Sequence, residues 1–129
     1  AVVHGATEVC VLDAAVGRLD HVFATMLLLA SPRWHAIEVQ ALIDGTRVIV
    51  VPPGGRRTVG VEPGRTVSLL SIGGAHGVST AGLQYPLCDE VLPPGTTRGV
   101  SNVVVGPDAW VAVSDGTALV VVPAPEEIQ

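Results

Sequence analysis

Apolar residues follow two different patterns along the chain, and the pattern changes near Ala36. Before Ala36 they form nearly continuous runs, at 9–13 and at 22–30, which are typical of elements buried on more than one side. After Ala36 they alternate with polar residues, as in strands that bury one face and expose the other. The pattern therefore predicts an α/β unit followed by an antiparallel β structure.

The first unit is predicted to be a strand, a loop and a helix. Residues 9–13 predict a strand of a parallel sheet that is covered on both faces. The helix is expected to begin with Asp20 as its N-cap and to end near Ala30, because Pro32 disfavours helix at the residue before it. Little in the first 35 residues could cover so apolar a helix. We therefore interpret residues 1–35 as the last unit of a truncated α/β domain.

The second unit, residues 36–129, is expected to be mostly β. Glycine and proline clusters interrupt it about every 8–12 residues, and Asp44-Gly45 is a hairpin signal. Strand character is found at 37–41, 46–51, 66–72, 78–87, 98–105, 109–113 and 117–122. About seven or eight short strands with turns of this spacing predict an antiparallel β-sandwich or jelly roll.

Composition and charge narrow the function classes. The chain has 129 residues and a net charge of −5, and its seven basic residues are all arginine. A basic surface for nucleic acid or anionic lipid is therefore not expected. The longest apolar stretch, 22–30, is far shorter than the ~20 residues of a membrane-spanning helix. We expect a soluble, cytoplasmic protein that binds neither nucleic acid nor membrane.

The two cysteines do not indicate a metal site or a disulfide. Cys10 and Cys88 stand far apart without a Cys-x-x-Cys pattern, and the four histidines lack metal-ligand spacing. Because Cys10 lies inside an apolar run, we expect it to be a buried free thiol.

The first candidate for chemistry is the segment Gly17-Arg18-Leu19-Asp20-His21, between the predicted strand and helix. In open α/β sheets, ligands collect where strands end and helices begin. A guanidinium there can bind two phosphate oxygens, while a carboxylate can orient a hydroxyl group or contact a metal. The alternative is structural: Asp20 caps the helix, Arg18 is a surface charge and His21 bonds to a backbone carbonyl.

The second candidate combines residues 82–87 (GLQYPL) with residues 95–102 (GTTRGVSN). Tyr85 is the only tyrosine of the chain, and its ring can stack on a heteroaromatic ring, more strongly when that ring is cationic. Ser101 and Asn102 supply donors and acceptors for the polar edge of such a ring. The alternative is a tyrosine at the edge of the core, next to an ordinary turn.

Together and in this order, these segments resemble thiamine pyrophosphokinase. The family pattern G-G-R-x-D-H before an apolar helix corresponds to 16–21 (VGRLDH), and G-L-K-Y/W-P-L corresponds to 82–87. The pattern F/P-G-T-S-R-G-x-S-N-E corresponds to 94–103 (PGTTRGVSNV), and S-V-x-x-G-x-L-L-V-I corresponds to 113–122. The resemblance covers nearly the whole chain.

The resemblance implies a fold, an activity and partners. Residues 36–129 would be the thiamine-binding β-sandwich, and residues 1–35 the end of the α/β domain that binds ATP. Family members transfer a pyrophosphoryl group from ATP to the hydroxyethyl oxygen of thiamine with Mg²⁺, giving thiamine diphosphate and AMP. They are homodimers, and each site combines the α/β domain of one subunit with the sandwich of the other.

The resemblance also implies roles for single residues. Asp20 would face the thiamine hydroxyl or a metal, and Arg18 would hold a phosphate, with His21 beside them as a substrate-binding residue. Tyr85 would stack on a thiamine ring. The pyrimidine edge of thiamine would bond to Ser101 and Asn102.

This sequence departs from the family pattern in two ways. Val103 stands where the family has a glutamate after Ser-Asn. The family's upstream acidic motifs, which hold most of the Mg²⁺ and the nucleotide, have no counterpart in the chain. We therefore expect the intact parent to be the kinase and this piece alone to be inactive. The alternative is a non-catalytic binding or interaction module of the same family.

Overall fold

Strands dominate the structure, as the alternating pattern predicts. The computed structural model describes residues 5–13 and 18–125, which contain eleven strands, one α-helix and one 3₁₀ helix. The strands are β1 (Glu8–Asp13), β2 (Glu38–Ile43), β3 (Thr46–Val51), β4 (Arg56–Thr58), β5 (Thr66–Leu70), β6 (Ala75–Ala81), β7 (Glu90–Leu92), β8 (Asn102–Val103), β9 (Trp110–Ala112), β10 (Asp115–Gly116) and β11 (Ala118–Val122). The α-helix, α1, comprises Leu19–Leu29, and the 3₁₀ helix comprises Pro32–Trp34. No helix in these residues is long and apolar enough to cross a membrane.

A six-stranded sheet forms the middle layer of the fold. Its strand order is β1-β2-β3-β11-β5-β8, in which β1 pairs parallel with β2 and the other neighbours are antiparallel. Asp44 and Gly45, both with positive φ, make the predicted two-residue turn between β2 and β3. The sheet has two faces to cover, and the chain covers them with different elements.

A second sheet packs on one face of the first and completes the sandwich. Its order is β10-β6-β9-β4, with β7 also paired to β6, and all pairs are antiparallel. The core between the sheets is built from alternate strand positions, such as Val67 and Leu69 of β5 opposite Val78 and Val111. This alternation places the inward side chains in one continuous apolar layer. The prediction of a mostly β fold with an antiparallel sandwich is confirmed.

Helix α1 lies on the other face of the six-stranded sheet. Leu29 is buried there with Val48 and Leu119, and the indole N–H of Trp34 donates to the Leu28 carbonyl oxygen at 3.0 Å. The expectation that α1 is buried on more than one side is wrong for this chain, because only the sheet covers it. Four large apolar side chains of α1 remain 46–81% exposed: Leu19, Phe23, Leu27 and Leu28.

Strand β1 pairs in parallel, as predicted, but is covered on one face only. Val11 packs toward the α1 side of the sheet, whereas Cys10 and Leu12 point the other way and are exposed. The second sheet ends at β4, so nothing in the described residues covers that side of β1. Cys10 is a free thiol, but the prediction that it is buried is wrong.

Three predicted boundaries are also wrong. Strand β6 ends at Ala81, whereas strand character was predicted as far as residue 87. The N-cap of α1 is Arg18, and Asp20 lies in the first helical turn, where its carboxylate faces the Arg18 guanidinium instead of a backbone N–H at the cap. Residues 98–101 form a turn, not the start of a strand, because Ser101 has a φ of 63° and the Val100 N–H bonds to the Thr97 carbonyl. Only Asn102–Val103 pair as β8.

Strands β4, β7 and β10 had no counterpart in the prediction. They are only two or three residues long, and β4 (RRT) has no apolar residue, so the alternation that marks the other strands is missing. The domain division between residues 35 and 36 stays a prediction. Strands β1 and β2 lie on either side of that division and pair over six residues.

Candidate functional site

Asn102 is the organising residue of the second candidate segment. It is only 5% exposed. The oxygen and the nitrogen of its side-chain amide both form hydrogen bonds with main-chain groups. Oδ1 accepts the N–H groups of Tyr85 at 3.0 Å and Val103 at 2.9 Å, while Nδ2 donates to the Tyr85 carbonyl oxygen at 2.9 Å. Asn102 therefore fixes the backbone of Tyr85 in one orientation.

Two buried leucines hold the strand-like segment that carries Tyr85. Leu83 forms an isolated antiparallel bridge with Val104 and is 4% exposed. Leu87 is also buried, and its N–H donates to the Thr80 hydroxyl at 3.0 Å. Because both ends are anchored inward, the residues between them project outward, and Tyr85 is 62% exposed. The site thus presents an aromatic ring to solvent on a fixed backbone.

Ser101 lies beside the segment that carries Tyr85, on a turn that is held in place by contacts with β5. Its N–H donates to the Ser68 hydroxyl at 3.0 Å, and the residue itself is exposed. Two positions earlier, Gly99 lies directly against β5, where an added Cβ would come within 2.5 Å of the Leu69 carbonyl oxygen. The predicted trio of Tyr85, Ser101 and Asn102 is therefore brought together on one rim of the sandwich.

Glu90 and Arg98 form an ion pair in the same part of the fold, which sequence reasoning missed. Glu90 accepts hydrogen bonds from the Arg98 guanidinium and, at 3.2 Å, from the Cys88 N–H. These two bonds, the one from Arg98 first, hold the pKa of Glu90 below its ordinary value. Eight residues separate the partners, so no local pattern marked them as a pair.

Arg18 and Asp20 of the first candidate segment bind each other. The guanidinium donates from Nε at 3.0 Å and from Nη2 at 2.9 Å, one bond to each carboxylate oxygen. This contact, with a smaller contribution from the His21 N–H, lowers the pKa of Asp20 below its ordinary value. Both side chains are about 70% exposed, and His21 is exposed on α1. Gly17 and Val16 lie outside the described residues.

The two candidate segments are attached to opposite edges of the six-stranded sheet. Arg18 and Asp20 begin α1, which follows the edge strand β1, whereas Asn102 belongs to β8 at the opposite edge of the same sheet. Five inter-strand steps separate β1 from β8, or about 24 Å.

The described residues do not form a magnesium site on their own. Nowhere in 5–13 and 18–125 do three or more His, Cys, Asp or Glu side chains come together as a possible metal site. The carboxylate oxygens of Asp20 are of the kind that Mg²⁺ binds, but each of them accepts a hydrogen bond from Arg18.

Comparison with known proteins identifies the relatives of this fold. A family model described as "Thiamin pyrophosphokinase, vitamin B1 binding domain" matches residues 54–118, which is just over half of the chain. That range includes Tyr85, Ser101 and Asn102. No curated protein matches the chain by sequence.

Solved structures of similar fold include thiamine pyrophosphokinases. The enzyme of Bacillus subtilis superposes with a TM-score of 0.83 at 18% identity, covering 97% of this chain and 59% of its own. The enzyme of Geobacillus thermodenitrificans superposes with a TM-score of 0.74 at 22% identity, and the match covers 99% of this chain and 59% of the enzyme. The enzyme of Candida albicans superposes with a TM-score of 0.69 at 18% identity, and the match covers 89% of this chain and 44% of the enzyme. At these identities the likeness establishes the fold, and the chain spans about half of each relative.

Proposed function

The chain belongs to the thiamin pyrophosphokinase family, and from that membership we propose that it supplies the thiamine-binding part of an enzyme that transfers a pyrophosphoryl group from ATP to thiamine. The observation that carries this proposal is the fixed display of Tyr85 by Asn102 inside the matched region. The products would be thiamine diphosphate and AMP.

Tyr85 would stack on thiamine, whose positive charge adds an attraction of about 0.5–2 kcal/mol to an aromatic face. Ser101 would bond to the pyrimidine edge through its exposed hydroxyl. Asn102 would act mainly as a positioning residue, because three of its bonds already hold the main chain of Tyr85 and Val103. The second Nδ2 hydrogen forms no hydrogen bond with a main-chain group of the described residues and would be left for the ligand.

Arg18, Asp20 and His21 would meet the phosphate end of the reaction. Arg18 has the planar fork that suits phosphate oxygens, and Asp20 would orient the thiamine hydroxyl once the Arg18 contact opens. Mg²⁺ would supply charge neutralisation at the transferring phosphates. Its principal ligands would come from outside the residues described here, with Asp20 as a single additional carboxylate.

A homodimer would bring the two segments together. Because about 24 Å of sheet separates the edge that carries β1 from the edge that carries β8, one chain would contribute Arg18 and Asp20, and its partner Tyr85 and Asn102. The exposed apolar residues of α1 offer a surface that association could cover. Sedimentation equilibrium should show a two-chain species, and a monomer at all concentrations would refute the shared site.

A reducing compartment such as the cytoplasm would suit the chain. Cys10 and Cys88 are both free and exposed, and exposed thiols persist unpaired where the environment is reducing. The family substrates, ATP and thiamine, are small molecules, and the acidic net charge of −5 disfavours nucleic acid as a partner.

Thiamine titration of the purified chain tests the proposal, with two variants of the same residue as a matched pair. Tyr85→Phe keeps the aromatic face and should bind within about 2-fold of the unaltered chain. Tyr85→Leu removes it and should bind about 2- to 30-fold more weakly, the range that corresponds to 0.5–2 kcal/mol. Equal affinities for Phe and Leu would remove Tyr85 from the site, and no thiamine binding by the unaltered chain would reject the function.

The second candidate function is a non-catalytic binding module of the same family. Val103 in place of the family glutamate, together with an Asp20 whose oxygens are both paired, favours it. An assay of the intact parent for AMP formation from ATP and thiamine separates the two: AMP supports the kinase, and thiamine binding without AMP supports the module.

A further inference from the structure

A cleft of about 510 Å³ opens where the six-stranded sheet extends beyond the second sheet. Its floor is the inner face of β1, β2 and β3, and its wall is β4, the last strand of the second sheet. Its volume falls within the range of small-molecule sites in proteins. The cleft lies at the β1 side of the fold, away from the β8 edge that carries Asn102.

Three of the seven arginines of this acidic chain line the cleft: Arg47, Arg56 and Arg57. Arg57 is opposite the buried Val111 in the register of β4 with β9, so its side chain points between the sheets and is only 23% exposed. Arg56, the residue before Arg57 in β4, points to the opposite face of the strand, where its guanidinium carbon lies 3.8 Å from the centre of the Trp110 ring.

These guanidinium groups have few internal acceptors. Arg47 donates from Nη2 to the Val59 carbonyl oxygen at 2.9 Å, and its buried Nε has no acceptor among the described residues. Within that part of the chain, neither Arg47 nor Arg56 has a carboxylate at ion-pair distance. Arg57 reaches only one, Glu38, at 4.0 Å. Arg47 on the floor of the cleft therefore has no ion-pair partner among the described residues.

Two carboxyl groups face the arginines from the neighbouring strands. Glu8 of β1 and Glu38 of β2 are directly paired in register, and both line the cleft with Cys10 and Gln40. Their mutual hydrogen bond and repulsion raise the pKa of Glu8 above its ordinary value.

We propose that this cleft is a ligand site for a small molecule bearing a phosphate-type anion, separate from the surface around Tyr85. The anion would bind to the guanidinium fork of Arg57, with Arg47 adding positive charge from the floor. The inference does not depend on thiamine binding, because no residue of the cleft belongs to the Tyr85 segment. The competing explanation is that these charges only close the open edge of the sandwich.

Calorimetric titration of the purified chain with inorganic pyrophosphate at pH 7.5 tests the proposal through changes in opposite directions. Arg57→Gln should weaken binding about 10-fold or more, since it removes one charged fork. Glu8→Gln should tighten binding about 3- to 10-fold, since it removes a negative charge near the anion. A variant that merely unfolds cannot produce the tightening.

A further variant controls for overall charge. Arg33→Gln removes an exposed arginine on the 3₁₀ helix and should leave the Kd within about 2-fold. No saturable binding, or equal effects of Arg33→Gln and Arg57→Gln, would overturn the proposal. Unchanged affinity in Glu8→Gln would do so as well.

Discussion

The start of α1 and the rim around Tyr85 each display an arginine–carboxylate pair, but the two regions are supported very differently. At the rim, Asn102 satisfies three main-chain groups. At α1, Arg18 and Asp20 hold each other at the surface, and the helix has no side-chain cap. The rim is therefore preorganised by the chain's own core, while the side chains at the start of α1 would need a second surface to be fixed in a binding geometry.

The same contrast is found in the apolar residues. The core of the sandwich buries Leu69, Val111 and Val120 to 1% exposure or less, whereas Leu19 and Phe23 of α1 are 81% and 59% exposed. A helix that buries only one of its two apolar faces leaves free energy of burial unused. Within the described residues, the chain itself covers the core of the sandwich but leaves the outer face of α1 exposed.

Truncating one leucine in each region should give the largest difference. Leu69→Ala should lower the free energy of unfolding by about 2–5 kcal/mol, because it leaves a cavity in a fully buried layer. Leu28→Ala should change it by less than about 0.5 kcal/mol, because that side chain is half exposed and alanine suits a helix. Urea unfolding followed by circular dichroism measures both.

Similar losses of unfolding free energy in Leu69→Ala and Leu28→Ala would contradict the difference between the two regions. A loss above about 2 kcal/mol in Leu28→Ala would mean that the outer face of α1 is covered in solution. If that loss also grew with protein concentration, a second copy of the chain would be what covers it.

The sequence predicts an element of the fold only where neighbouring residues carry the pattern that marks it. Strand β3 was predicted to the residue, because Asp44-Gly45 marks the turn and the apolar run ends at Pro52. Strand β4 was missed because a polar three-residue edge strand carries no period. Burial of α1 was predicted from its composition, which says that a helix has apolar faces but not whether this chain covers them.

The residues of the candidate site could be proposed from the sequence, but the hydrogen bonds between them could not. Tyr85, Ser101 and Asn102 were found from short motifs, and the structure places them together. That Asn102 bonds to the main chain of Tyr85 could not be foreseen, since the two are 17 residues apart. The cleft was missed for the same reason: Glu8, Glu38 and Arg57 lie on three different strands, and only the sheet register brings them together.

A methyl group at Gly99 should have the next largest effect and test how firmly the core positions the rim. In Gly99→Ala the new Cβ would lie 2.5 Å from the Leu69 carbonyl oxygen, so the turn that carries Ser101 must shift. We expect a loss of about 1–3 kcal/mol in unfolding free energy, together with weaker thiamine binding. Gly73→Ala is the matched control, because its Cβ would meet nothing within 4 Å and its φ is not positive. Equal stabilities of the two variants would show that the rim is not held by this contact.

The smallest effect is expected for the two ion pairs, and it concerns pH and salt. Asp20 and Glu90 both have pKa values lowered by an arginine, so each pair favours the folded state above the unfolded pKa and loses that contribution as the pH falls through the folded pKa. Arg18→Gln and Arg98→Gln should raise the pKa of the respective partner, without restoring it fully, because backbone N–H bonds from His21 and Cys88 remain. Carbon-detected NMR titration of the carboxyl groups measures these shifts.

Added salt should affect the two ion pairs differently, whereas the two arginine substitutions should affect them in the same way. The Asp20 side chain is 72% exposed and that of Glu90 only 29%, so dissolved ions screen the Arg18 contact more completely. Raising the salt concentration to about 1 M should therefore raise the pKa of Asp20 more than that of Glu90. An equal rise would mean that the rim pair is as open to solvent as the pair on α1, and the rim would then owe its order to Asn102 and Gly99 alone.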